Sequence, residues 1–303
     1  MKTRPTDAPT RAERSRRAAA GAPLLASLLL SLAACTPPAP APAPPAPPAP
    51  TPAQAAPSPA QGGAAKAADK GDFKVARRRP HDPKDEQERK ELEEEEKSLE
   101  ETAAELNKAF SLPHDILIGF DECGEANSFY DPEKKQITVC DELVEDLYES
   151  FRGDYKKESE LDDAVTNATT FVFFHELGHA LVDAYDLPVT GREEDAVDQL
   201  SVILLSDGSE EGDKMVLDAA LAFSKETEAE LDELAFADEH SFDRQRFYNI
   251  VCLLYGQNEE KFASLVKDGT LPGSRAERCG DEFARADKAW QALLAPYTKE
   301  DAP

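Results

Sequence analysis

The chain has 303 residues and a formal net charge of −27. Its first 35 residues hold six basic and two acidic side chains, so the remainder carries −31. A surface this acidic repels phosphate backbones, which argues against a nucleic-acid partner and leaves fold and substrate open.

In chain order, a basic stretch leads into an apolar run at residues 22–34 that is short for a membrane span and ends in small residues. The closing Leu32-Ala33-Ala34-Cys35 resembles the bacterial lipobox. That resemblance implies a lipoprotein signal peptide over residues 1–35, with Cys35 lipidated as the first mature residue and the protein exported and membrane-anchored. Thr36 after the cysteine leans toward the outer membrane or cell surface of a bacterium. Residues 36–72, rich in Pro and Ala, form a linker that cannot bury apolar area. Polyproline geometry at ~3 Å per residue makes it a semi-rigid tether. One domain is expected over residues 73–303.

Residues 82–110 are dense in Glu and Lys, and Asp82 before Pro83 marks a helix start. A solvated acidic helix leading into the domain is predicted. Strands are predicted at 115–120, 127–132 and 136–140, the last two around a turn at 131–135. Helices follow at 143–151, 161–185, 193–205, around 214–223, and at 242–255. A small sheet followed by many helices indicates an α+β fold.

Of five cysteines, Cys35 is assigned to lipid, which leaves four for disulfides. Cys123 and Cys140 flank the predicted hairpin, and a bridge there would contribute ~3 kcal/mol. A bridge from Cys252 to Cys279 would pin the C-terminal segment. Four cysteines allow three pairings, however, and sequence order alone does not choose.

The apolar run 171–174 leads into His175-Glu176-Leu177-Gly178-His179. Histidines four apart project from one helix face, about a turn from each other, and can share one Zn2+ at ~2.0 Å. Glu176 lies beside the open coordination position, where a general base must stand to take a proton from water. A buried helix carries ionisable groups only if they are paired or metal-bound. A third ligand is sought on the next helix, in Glu193-Glu194-Asp195-Ala196-Val197-Asp198. Glu194 and Asp198 are again four apart. Glu194 can complete the ligand set and Asp198 can accept a ligand histidine's second N–H. Glu193 remains a rival ligand. Val182 and Tyr185 stand where a metzincin needs glycine and histidine, which excludes that class.

These residues resemble the gluzincins, typified by thermolysin, whose pattern is His-Glu-x-x-His followed by Glu-x-x-x-Asp on the next helix. More narrowly, the stretch 112–256 is similar to a bacterial family of proposed metallopeptidases catalogued as a domain of unknown function. Cys123-Gly124, Cys140, and His240 through Arg246 and Tyr248 to Gly256 share in that similarity. The resemblance implies a zincin-like fold with a small mixed sheet, an active-site helix and a mainly helical C-terminal part. It implies one Zn2+ per chain and a peptide or protein substrate. It also implies an oxyanion stabiliser among His240, Arg246 and Tyr248, and a substrate-binding edge strand at Asn127 and Ser128. The competing expectation is a zinc-holding but catalytically idle surface lipoprotein, a binding or scaffold module.

Overall fold

A computed structural model describes residues 67–78, 86–225 and 240–299. The expected export segment with Cys35, the expected linker through residue 66 and the expected Asp82-Pro83 helix start lie outside the described residues. The elements run β1 (Phe73–Val75), α1 (Glu86–Ala109), β2 (Ile116–Asp121), β3 (Ser128–Asp131), β4 (Gln136–Cys140), α2 (Asp141–Phe151) and α3 (Glu158–Tyr185). They continue with α4 (Glu193–Leu205), α5 (Glu210–Lys225), α6 (Asp243–Gln257), α7 (Ala263–Lys267), α8 (Gly273–Ala276) and α9 (Cys279–Leu294). The class is α+β, as expected.

The sheet is mixed, in the order β1-β2-β4-β3, with β1/β2 and β2/β4 parallel and β4/β3 antiparallel. β2 and β4 are its centre, and Ile116, Ile118, Ile137 and Val139 are buried there. β3 is left at the edge, with Phe129 exposed. The hairpin turn follows from Asp131, whose Oδ1 accepts the N–H groups of Glu133 and Lys134, and from Lys135 in the left-handed region at φ 54°.

α1 differs from the solvated helix expected of residues 82–110. Its C-terminal half buries Leu99, Ala103, Leu106 and Ala109, spaced three to four apart. Four small or branched apolar residues suffice for a packed stripe when their period is right, even among many glutamates. The helix is the crossover that makes β1 and β2 parallel. β1 itself, three residues long, and α9, which buries Trp290 and Leu294, are additions to the predicted set.

α3 is the central helix and packs against α2, α4, α5, β3 and β4. It is buried on nearly every side from Ala164 to Val182, as a helix with no polar face must be. It stops at Asp186, which takes the left-handed conformation (φ 50°) that short polar side chains tolerate, while Leu187 donates its N–H to Val182 at 3.0 Å. The beginning and end of the described chain meet: Ala67 N–H donates to the Pro296 carbonyl at 2.8 Å, and Lys299 pairs with Asp69 at 2.6 Å.

Candidate metal centre

His175, Glu176 and His179 lie on α3, and His175 and Glu176 are buried to 4% and 6% exposure. α4 starts after Arg192 with three consecutive acids, a composition the positive end of a helix dipole favours. The structure brings Glu194 between the two histidines. Its Oε2 lies 3.0 Å from His175 Nε2 and its Oε1 3.3 Å from His179 Nε2, and the two Nε2 atoms are 3.3 Å apart. These three residues form a group whose donor atoms all lie within 4.8 Å of one another.

That spacing fits one ion. A tetrahedral centre with ~2.0 Å bonds separates its ligand atoms by ~3.3 Å; the two Nε2 atoms stand at that distance, and each faces a different oxygen of the Glu194 carboxylate. Two imidazoles and a carboxylate are also a donor set suited to a divalent transition metal.

The far nitrogens of the two rings are held as well. His175 Nδ1 meets Asp198 Oδ1 at 2.8 Å, and His179 Nδ1 meets Glu193 Oε1 at 2.8 Å. With Nδ1–H hydrogen-bonded to a carboxylate, Nε2 is the nitrogen each ring has for an ion: it donates to Glu194 while protonated and is free to ligate once neutral.

The charges follow this geometry. Burial opposes ionisation of Glu194, but the bonds from His175, His179 and His240 hold its carboxyl far below the usual carboxylate range. Burial also pushes the histidines down, yet Asp198 and Glu194 raise His175, and Glu194 and Glu193 raise His179 to about 9. Asp198 is held at about 2 against its burial by Arg246 and His175. Glu176 goes the other way: burial raises its carboxyl, only partly offset by His175 and His179.

Comparison with known proteins bears on what this cluster is. The family model described as "putative metallopeptidase" matches residues 78–294. The chain belongs to this family. No curated protein and no solved structure matches it.

The metallopeptidase match spans the cluster and all four cysteines of the described chain. Cys123 is joined to Cys140, and Cys252 to Cys279. The first bridge ties β4 to the loop after β2, where Glu142 accepts the N–H groups of Cys123 (3.1 Å) and Gly124 (2.7 Å). The second joins α6 to α9.

The remaining predicted residues fall at different distances from the cluster. His240 is in it: Nε2 lies 3.1 Å from Glu194 Oε2, and its ring stacks 6.2 Å from that of His175, at 42% side-chain exposure. Arg246 stands behind it. Its Nε and Nη2 each donate to Asp198 at 2.8 Å while the guanidinium covers the Phe223 ring at 4.1 Å. Asp198, from the neighbouring helix, is thus an ion-pair partner of the arginine. Tyr248 makes an edge-on contact with Phe247, and no contact between it and the cluster is found among the described residues. Asn127 and Ser128 lie at the edge of the sheet. Asn127 accepts from the Cys140 N–H at 3.0 Å, and its side chain accepts the Ser128 N–H at 2.9 Å.

Three features at the site carry no role in the sequence reading. Asp183, one turn beyond His179, accepts from Tyr130 Oη and Lys135 Nζ, both at 2.7 Å, which docks the hairpin on α3. Its signal was available, since 175, 179 and 183 share one helix face. The Tyr130 backbone N–H opposes the rise of the Glu176 carboxyl, so β3 runs beside Glu176. Third, Arg192 Nη1 donates to the His240 carbonyl at 3.1 Å and Ser241 Oγ to Asp195 at 2.7 Å, so both ends of the first turn of α4 grip the His240 segment. No local pattern announces those two contacts.

Proposed function

We propose that the chain is a zinc-dependent peptidase of gluzincin type, with zinc held by His175, His179 and Glu194. The observation that carries this reading is the convergence of His175, His179 and Glu194, whose donor atoms all lie within 4.8 Å of one another, beside a buried glutamate. When bound, zinc would supply Lewis acidity to the scissile carbonyl and to the attacking water.

The rest is work for the chain's own groups. Glu176 takes a proton from the attacking water and passes it to the leaving nitrogen. Burial raises its pKa, which makes it a stronger base and a usable acid in turn. His240, half-exposed at the rim, donates to the developing oxyanion. Arg246 acts through Asp198, keeping that carboxylate ionised and aimed at His175. An extended peptide adds to the free edge of β3 beside Asn127 and Ser128.

Elemental analysis of the purified protein tests the metal. About one zinc per chain is expected, lost in Glu194→Ala. A chain that binds no metal sinks the proposal, and a zinc-loaded chain inert against a broad peptide library favours an idle binding module. For location, we propose that residues 1–35 act as a lipoprotein signal, that Cys35 carries lipid, and that the Pro/Ala-rich linker, up to the residues from Ala67 onward that bond to the domain, tethers it to a bacterial membrane surface. Mass spectrometry of the mature N-terminus checks this; an unmodified chain beginning at another residue rejects it.

A further inference from the structure

Glu193 and Glu194 are adjacent in sequence, yet they meet His179 at opposite edges of its ring. Glu194 Oε1 faces Nε2 at 3.3 Å, and Glu193 Oε1 faces Nδ1 at 2.8 Å. An ion on Nε2 lies across the imidazole from Nδ1, so Glu193 in this position cannot share it. A role for Glu193 as a merely solvated acid does not fit either, because its carboxylate makes a directed bond to a ring whose side chain is 17% exposed.

We propose that Glu193 is a positioning residue for metal capture. Its carboxylate accepts a hydrogen bond from Nδ1–H of His179, which fixes the tautomer and leaves Nε2, on the Glu194 side of the ring, as the nitrogen that can bind the ion. Asp198 does the same for His175, so both metal histidines carry a carboxylate on the nitrogen that faces away from the ion. The two braces differ in depth. Asp198 is 7% exposed and locked by Arg246, whereas Glu193 is 43% exposed. Solvent weakens the outer bond, so Glu193 should contribute the lesser share.

This inference rests on the metal reading proposed above. Its test is zinc affinity, measured by competition with a chromophoric chelator, together with the absorption spectrum of the Co2+-loaded protein. Glu193→Ala is expected to weaken zinc about tenfold, the low end of what outer-shell partners contribute. Glu193→Gln keeps an oxygen that can accept the same hydrogen bond and should recover much of that loss. The cobalt spectrum should stay that of the wild type in both variants and change in Glu194→Ala, because only Glu194 touches the ion. Wild-type zinc affinity in Glu193→Ala overturns the proposal. So does a cobalt spectrum altered in the way Glu194→Ala alters it, which would make Glu193 the ligand. A wild-type protein that takes up no metal defeats the metal reading itself, and this inference with it. Circular dichroism of the metal-free variants confirms that they are folded.

Discussion

Gly178 on α3 faces Val197 on α4 so closely that a Cβ on Gly178 would lie 2.7 Å from both Cβ and Cγ1 of the valine. Real Cβ atoms do not approach to that distance, and a valine Cβ cannot swing aside. Gly178, between Glu176 and His179, is therefore a point of closest packing between α3 and α4. Glu194 is one turn before Val197, so its reach to the histidines depends on this contact. Gly178→Ala is expected to push α4 outward, cost about 1–3 kcal/mol of stability through overpacking, and weaken metal binding. Thermal melts and zinc competition measure both, and an unchanged melting temperature would refute the close-packing argument.

Glu176 bonds to neither Glu194 nor Asp198, so removing its charge should leave the metal in place. Glu176→Gln is expected to retain zinc at wild-type stoichiometry while peptide hydrolysis falls by at least ~100-fold, the contribution of a positioned general base. A variant that keeps most of its activity would assign the proton transfer to another group.

The metal-free chain should show a stability slope set by His179. Its folded pKa is raised from 6.5 to about 9 by Glu194 and Glu193, against its burial. A raised folded-state pKa stabilises the fold fully below 6.5, and that contribution is lost as pH rises through about 9. The chelated protein is thus expected to melt at lower temperature at pH 9 than at pH 6.5. Metal capture runs the opposite way, since it needs a neutral ring, and apparent zinc affinity should climb across the same window. Scanning calorimetry with and without chelator reads both trends; a flat chelated profile would contradict the Glu193–His179–Glu194 arrangement.

Arg78, just beyond β1, is clamped by two acids on different helices. Its Nη2 reaches both oxygens of Glu95 at 2.9 Å, and its Nη1 reaches Asp141 at 2.6 Å. All three side chains are less than a fifth exposed. Arg78→Met leaves two buried carboxylates without their cation and is expected to cost about 3–5 kcal/mol in chemical denaturation. Adding Glu95→Gln should restore part of this, and a single variant as stable as the wild type would show that solvent reaches the pair.

Much of this was legible one element at a time. Residues 193–205 were predicted as a helix and form α4, because its periodic apolar residues Val197, Leu200, Val202 and Leu204 are a local signal. β2, β3 and β4 were likewise readable from short apolar runs bounded by turn residues. β1 was not, since three residues carry no period, and its pairing depends on a partner 43 residues away. α1 was found, but its buried stripe was masked by the surrounding glutamates.

What the sequence by itself determined is the chemistry within a turn of helix: two imidazoles on one face of α3, a glutamate beside them, and a Glu-x-x-x-Asp pair on the next helix. Those relations follow from 3.6 residues per turn and need no partner. Which of two adjacent acids meets which ring nitrogen was decided only by tertiary structure. Glu193 and Glu194 differ by about 100° around the start of α4, and that helix is placed by its packing against α3, including the close glycine–valine contact, and against α5, α6 and α9.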